Sequence, residues 1–227
     1  MTARICVSIL PKNIAEASEL IRKAQNFKAD FVEVRLDCFE DYGTLDDIAK
    51  HTHTSLIATN RSEDCQGKFL GSETKRQKIL LDAAEKGFEY VDIELSCPKL
   101  KDIVRSLHQL NVKPIISFHD FDGTPGPAEL HEIFEREIAS GAEVCKITTT
   151  ARCVEDNLAM LDFACKASKT AKTVCFCMGE LGRPSRLLSS FFGAFFTIAS
   201  LERGKETAPG QLTFQEMSTI YRALGLR

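Results

Sequence analysis

Residues 114–149 read PIISFHDFDGTPGPAELHEIFEREIASGAEVCKITT, and this stretch decides the fold. At its ends lie two short runs of β-branched and apolar residues, PIISFHD (114–120) and EVCKITT (143–149). Between them Pro127 suits a first helical position, and the pattern it opens stops near Gly141. Runs that are apolar almost throughout, rather than alternating, mark strands covered on both faces. Strand, helix and strand in this order make a parallel βαβ unit.

The same unit repeats in both directions. Upstream lie RICVSIL (4–10), FVEVRLD (31–37), SLIATN (55–60) and YVDIEL (90–95); downstream lie TVCFCMG (173–179) and AFFTIAS (194–200). Helical patterns fill the gaps. Residues 14–27 place Ile14, Ala17, Leu20, Ile21 and Ala24 on one face. Ser72 caps a helix that buries Ile79, Leu80 and Ala83 and stops at Gly87. Pro98 opens a helix carrying Leu100, Ile103, Val104 and Leu107. Residues 154–167 are expected to bury Leu158, Leu161, Phe163 and Ala164; residues 213–224 close the chain, and 45–50 and 185–192 are shorter helices. Eight such units, at a repeat of roughly 20–35 residues, predict an α/β fold, a single (β/α)8 TIM barrel over residues 1–227 as one catalytic domain. A doubly wound sheet is the competing architecture, but no GxGxxG follows the first strand and no phosphate-binding P-loop occurs.

Composition agrees. The chain of 227 residues is 44% hydrophobic and 27% charged, a balance that suits a soluble globular protein. Its net charge of −3 leaves no electrostatic footprint for nucleic acid or an anionic membrane. The longest uncharged run, Leu187–Leu201, is shorter than the ~20 residues of a membrane span. The N-terminus has an apolar run too short for a secretory signal. The nine cysteines include no CxxC and mostly sit inside apolar segments, as in a protein of the reducing cytoplasm. Cys175 and Cys177 lack the partner spacing of a metal site, so no metal is expected.

In such barrels the active site lies at the C-terminal ends of the strands. Polar residues at those ends are Glu33, Arg35 and Asp37, then Arg61, Asp92 and Glu94, His119 and Asp120, Lys146 and Arg186, and the run Lys205–Gln211; Met178 ends the seventh strand. Lys146 stands in an apolar strand, where a lysine is costly to bury unpaired. Either it makes an ion pair with Glu94 or Asp92, or it is a desolvated amine of lowered pKa that forms an imine with a carbonyl substrate. His119, one strand away, is the one histidine at a strand end and suits a general acid or base; His51, His53, His108 and His131 are expected to be solvated. Arg35, Arg61 and Arg186 at one rim suit an anionic, carboxylate-bearing small-molecule substrate. The Pro-Gly turn, hydroxyl and amide of Thr207–Gln211 suit a lid. These residues describe an imine-forming lyase or aldolase.

The order of motifs resembles the type I 3-dehydroquinate dehydratases across essentially the whole chain. The matching pieces are Glu33-Val-Arg-Leu-Asp37, Thr59-x-Arg61, Asp92-Ile-Glu-Leu95, Ser117-Phe-His-Asp-Phe121, Lys146-Ile147, Met178-Gly179, Ser185-Arg186 and Ala208-Pro-Gly-Gln211. The resemblance implies a cofactor-free, metal-free syn elimination of water from 3-dehydroquinate to 3-dehydroshikimate, and suggests a homodimer. In that pattern Lys146 forms the imine. His119 takes the C2 proton and returns one to the departing C1 hydroxyl. Arg186 pairs with the substrate carboxylate. Glu33, Arg35 and Arg61 hold ring hydroxyls, Thr207 and Gln211 belong to the closing loop, and Met178 flanks the imine.

The chain departs from that pattern. Many members carry, four residues after the arginine matched by Arg61, a glutamate that orients the histidine; here that residue is Cys65, leaving Glu63, Asp64 and Glu33 as substitutes. Phe118 stands where Tyr or Asn is common, and Thr207 where Ser is common. The first strand begins almost at Met1, so the N-terminal hairpin that plugs the barrel floor in some members is not expected. A class I aldolase would also place its lysine on the sixth strand, but the last loop, KETAPGQ, is not a glycine-rich phosphate loop. A catalytically silent binding barrel would not need Lys146, His119 and Arg186 together.

Overall fold

Every predicted strand forms, and each pairs in parallel with its sequence neighbour from β1 through β7. The computed structural model describes residues 3–40, 42, 45–49 and 52–227. The order is β1 (Ile5–Ile9), α1 (Ile14–Asn26), β2 (Phe31–Arg35), α2 (Asp46–Ala49), β3 (Ser55–Thr59), α3 (Glu73–Glu85), β4 (Tyr90–Glu94) and α4 (Leu100–Gln109). It continues with β5 (Lys113–His119), α5 (Pro127–Ala139), β6 (Val144–Thr150), α6 (Glu155–Ala167), β7 (Lys172–Met178), α7 (Arg183–Leu188), β8 (Thr197–Ser200) and α8 (Phe214–Ala223). The sheet order β7-β6-β5-β4-β3-β2-β1-β8 makes a nearly closed (β/α)8 barrel. Between β7 and β8 no ladder forms among the described residues; Phe195 N donates to Thr173 O at 2.7 Å across the seam.

The pleat sorts side chains into two sets. Val7, Val32, Val34, Val91, Ile93 and Ile116 face outward and pack under the helices. Cys6, Phe31, Ile57, Tyr90, Ile115, Val144, Val174, Phe176, Phe196 and Ile198 fill the barrel. Its floor is aromatic: Phe31 lies 4.9 Å from Phe196, 5.4 Å from Phe195 and 5.7 Å from Tyr90. Arg4 and Lys172 cover Phe195, and Lys113 covers Tyr90, as cation–π contacts. Above this floor the inward side chains become polar, which is where the site begins.

The sequence reading needs correction in places. β8 starts at Thr197 rather than 194, because Phe195 and Phe196 pack into the floor instead of joining a ladder. Pro98 is not helical: Lys99 takes a left-handed conformation (φ 56°), and the helix starts after it at Leu100. Leu158 is 66% exposed, since α6 buries Asn157, Met160, Leu161 and Ala164, a face that turns position 158 outward. The helix expected over 185–192 covers Arg183–Leu188, and the chain turns through Gly193 at φ 100°. His53, His108 and His131 are exposed as expected; Lys50 and His51 lie outside the described residues.

Candidate active site

At the C-terminal mouth of the barrel one pocket is lined by all nine predicted site residues: Glu33, Arg35, Arg61, His119, Lys146, Met178, Arg186, Thr207 and Gln211. Its walls also include Cys65 and Phe121, which the sequence reading named without placing them in the site, and Thr148 and Phe176, which it passed over. Thr148 and Phe176 were within reach of period-two alternation, because each lies two residues from a predicted site residue on the same strand, Lys146 or Met178.

Lys146 is 4% exposed and bonded, with Nζ 2.7 Å from Asp92 Oδ2 and 3.4 Å from Glu33 Oε1. Burial pulls its pKa down, but Asp92 and Glu33 outweigh burial and raise it above the ordinary lysine value. Of the two readings of Lys146 the ion pair holds, with Asp92 and Glu33 as its partners rather than Glu94, and the lowered pKa does not: the resting amine is an ammonium, and a ligand must disturb that pair before it attacks.

The pair belongs to a buried chain of alternating charge. Arg61 reaches Asp92 Oδ1 at 2.7 Å, Glu94 Oε1 at 3.0 Å and Ser117 Oγ at 2.9 Å. Arg76 continues it to Glu94 Oε2 at 2.7 Å. Glu33 accepts from Ser8 Oγ and Thr59 Oγ1. Arg35 instead forms a two-pronged pair with Asp37, at 2.8 and 2.7 Å. Burial works against the Asp92 carboxylate, yet Arg61 and Lys146 hold it far below the usual carboxylate range. Asp92→Asn should thus cost about 3–5 kcal/mol of stability at neutral pH, by leaving buried cations uncompensated. A carboxyl with a depressed folded pKa stabilises above its unfolded value and loses that contribution as pH falls below about 4. Urea unfolding at pH 7 and pH 3 checks this: the gap between wild type and variant should narrow at pH 3, and equal midpoints at pH 7 would refute it.

His119 closes β5, its ring stacked on Phe121 at 5.8 Å and 12°. Asp120 Oδ1 accepts from Asp122 N and Gly123 N and so shapes the following loop. Burial, reinforced by Arg61 and Lys146, holds the imidazole pKa well below the histidine norm, so it rests as the neutral ring. Its Nδ1 is buried and has no hydrogen-bond partner.

Arg186 is the contrasting cation. It is 1% exposed, has no carboxylate partner among the described residues, and lies 4.2 Å over the Phe176 ring. Only long bonds to Ile198 O and Pro209 O, both 3.5 Å, engage its guanidinium, and Nε has none. Burial brings its pKa down to about 9. The turn beneath it is built for the purpose: Ser185 Oγ accepts from Cys177 N, and Thr197 Oγ1 donates to Arg186 O at 2.7 Å. A buried cation held only by two long carbonyl bonds, with no carboxylate partner among the described residues, suits an anionic ligand.

The last loop folds over this arginine. Gln211 and Thr207 bond reciprocally, at 2.7 and 2.8 Å. Gly179 N donates to Pro209 O at 3.1 Å. Gly210 has φ 78°, and a Cβ there would lie 2.1 Å from Gly179 O, so only glycine allows this approach. Among the described residues no group of three or more His, Cys, Asp or Glu is placed to hold a metal ion, and no helix is long and apolar enough to cross a membrane.

A buried lysine on β6, a neutral histidine on β5 and a buried arginine at the mouth are the arrangement that suits an imine-forming lyase barrel for an anionic carbonyl compound. The type I 3-dehydroquinase family model matches residues 5–227, and the chain belongs to that family. It is 34% identical over 223 residues to a 3-dehydroquinate dehydratase of Methanococcus maripaludis, covering 97% of this chain and all of that protein. The type I 3-dehydroquinate dehydratase of Clostridium difficile, solved with covalently modified comenic acid, superposes with a TM-score of 0.88 at 25% identity, covering 98% and 92% of the two chains. The 3-dehydroquinate dehydratase of Geobacillus kaustophilus gives 0.89 at 25% identity, covering 99% and 92%. The reaction is the Schiff-base dehydration of 3-dehydroquinate to 3-dehydroshikimate, a hydro-lyase step of the shikimate pathway to aromatic amino acids.

Proposed function

We propose that Lys146 is the imine-forming residue, His119 the proton-transfer group and Arg186 the carboxylate anchor of this dehydratase. The observation that carries the assignment is the Arg186 guanidinium, without a carboxylate partner among the described residues, in the same pocket as the ion-paired Lys146 and neutral His119. The substrate carboxylate docks on Arg186 under the Thr207–Gln211 loop, Glu33 and Arg35 face the ring hydroxyls, and Met178 packs beside the imine. Arg61 lines the hydroxyl side while it keeps Asp92 and Glu94 aimed.

The ammonium gives up a proton and the free amine adds to the C3 carbonyl; loss of water leaves a protonated imine. Neutral His119 removes a C2 proton, and the C–H electron pair moves into the imine to give an enamine. The enamine pushes out the C1 hydroxyl, which takes the proton from His119 and leaves as water. Hydrolysis of the imine frees the enone and Lys146. Proton transfers of this type contribute about 10²–10⁴-fold.

Arg186→Met tests the anchor. A base whose pKa is depressed by folding destabilises the charged folded state below that pKa, here about 9. Removing the charge should leave thermal stability at pH 7 unchanged or higher, while KM rises by about 30-fold or more, the weight of a buried charge pair. An unchanged KM would place the carboxylate elsewhere.

The remaining assignments are of the same standing. Residues 1–227 are proposed as one catalytic domain acting on a small molecule and not on nucleic acid, supported by the net charge of −3. A cytoplasmic location is supported by nine free cysteines. A homodimer is supported by exposed Val154, Leu158 and Leu181 around the start of α6.

A further inference from the structure

Among the described residues no carboxylate is hydrogen-bonded to the histidine. Glu63 and Asp64 are exposed, Glu33 is committed to Ser8, Thr59 and Lys146, and Cys65 offers a thiol that burial keeps protonated. Yet a histidine base needs a partner on one ring nitrogen to fix the tautomer that leaves the other free.

Two buried orphans lie side by side. His119 Nδ1 has no hydrogen-bond partner, and neither has Thr148 Oγ1. Their Cα atoms are register partners across β5 and β6, and both residues line the pocket. Adjacent strands run about 4.8 Å apart, so side chains sharing a face at one register position are in reach of each other. Thr148 is 2% exposed and lies two residues from Lys146 on the same strand. The threonines that follow it are engaged elsewhere: Thr149 Oγ1 pairs with Thr124 and Cys177, and Thr150 Oγ1 donates to Asp120 O.

We infer that Thr148 is the positioning residue for His119: its hydroxyl oxygen accepts a hydrogen bond from Nδ1–H when substrate occupies the site, leaving Nε2 as the base. The inference rests on the assignment of His119 as the proton-transfer group. Thr148 takes over the task given to a glutamate in the family pattern, without adding a negative charge. That suits this pocket, where Asp92 from β4 already faces the ring, together with Arg61 beyond β3, Lys146 from β6 and Arg35 from β2. The same bond supports the imidazolium formed after proton abstraction.

Thr148→Val keeps the shape and removes the acceptor; Thr148→Ser keeps the acceptor; Thr148→Ala checks the result should valine disturb folding. The valine variant should lose about 10–100-fold in kcat with KM nearly unchanged, because the loss falls on proton transfer. The acid limb of its kcat/KM profile should move to lower pH, since the charged ring loses a supporting bond. Serine should restore most of the rate. With ¹⁵N-histidine-labelled enzyme saturated with 3-dehydroshikimate, the His119 Nδ1–H signal should be present in wild type and lost in the valine variant. Wild-type kcat and an unmoved acid limb in the valine and alanine variants would overturn the inference, as would a change confined to KM. His119→Ala run alongside separates the two levels: wild-type turnover there would instead overturn the histidine assignment.

Discussion

Replacing Lys146 by alanine is expected to lower turnover by at least about 10⁴-fold, the scale seen when a nucleophile is removed, while the barrel stays folded. Among the described residues no other lysine lines the pocket, which leaves Lys146 as the amine placed to form the imine. The fold survives because the partners of Lys146 have other support. Asp92 keeps Arg61 and Ser117, and Glu33 keeps Ser8 and Thr59. Burial pushes Glu33 upward and Lys146 holds it down, so losing the ammonium lets Glu33 take up a proton. Lys146→Met, which keeps the aliphatic stem, should behave the same way in the assay with a smaller stability loss. Circular dichroism and a steady-state enone assay check both halves, and turnover within tenfold of wild type would sink the imine route.

The second large effect separates chemistry from capture. His119→Ala should reduce kcat by about 10²–10⁴-fold, the range of one general acid–base group. Lys146 and Arg186 remain in place, so this variant should still bind substrate and hold it as the imine. Borohydride added to the mixture should then trap protein-bound adduct at a yield at or above that of wild type. A near-wild-type rate would assign proton transfer to another group. Lost trapping together with lost turnover would make His119 essential to imine formation.

The barrel was legible because parallel strands buried on both faces write themselves as apolar runs, and the proline and glycine boundaries at Pro127, Gly87 and Gly141 separate them from helices. What local pattern does not carry is packing between distant elements. Phe195 and Phe196 look like strand residues, but the aromatic floor takes them. Leu158 fits a helical stripe, but the neighbouring face of α6 meets the sheet. The residues that line the pocket were mostly legible as polar side chains at strand ends and in the last loop. Their electrostatics were only half legible: Lys146 reads equally as an ion-paired ammonium or as a desolvated amine, and the 2.7 Å distance to Asp92, 54 residues away in sequence, decides for the pair. Thr148 reads as an ordinary β-branched strand former, and its significance lies in the unpaired nitrogen across the strand boundary.

The central claim is that one lysine carries the substrate as an imine, and borohydride treatment in the presence of 3-dehydroquinate tests it most directly. Intact mass should rise by one reduced substrate or product adduct, and peptide mapping should place it on Lys146. Folded protein that turns over substrate without an adduct, or an adduct on any other lysine, would contradict the account.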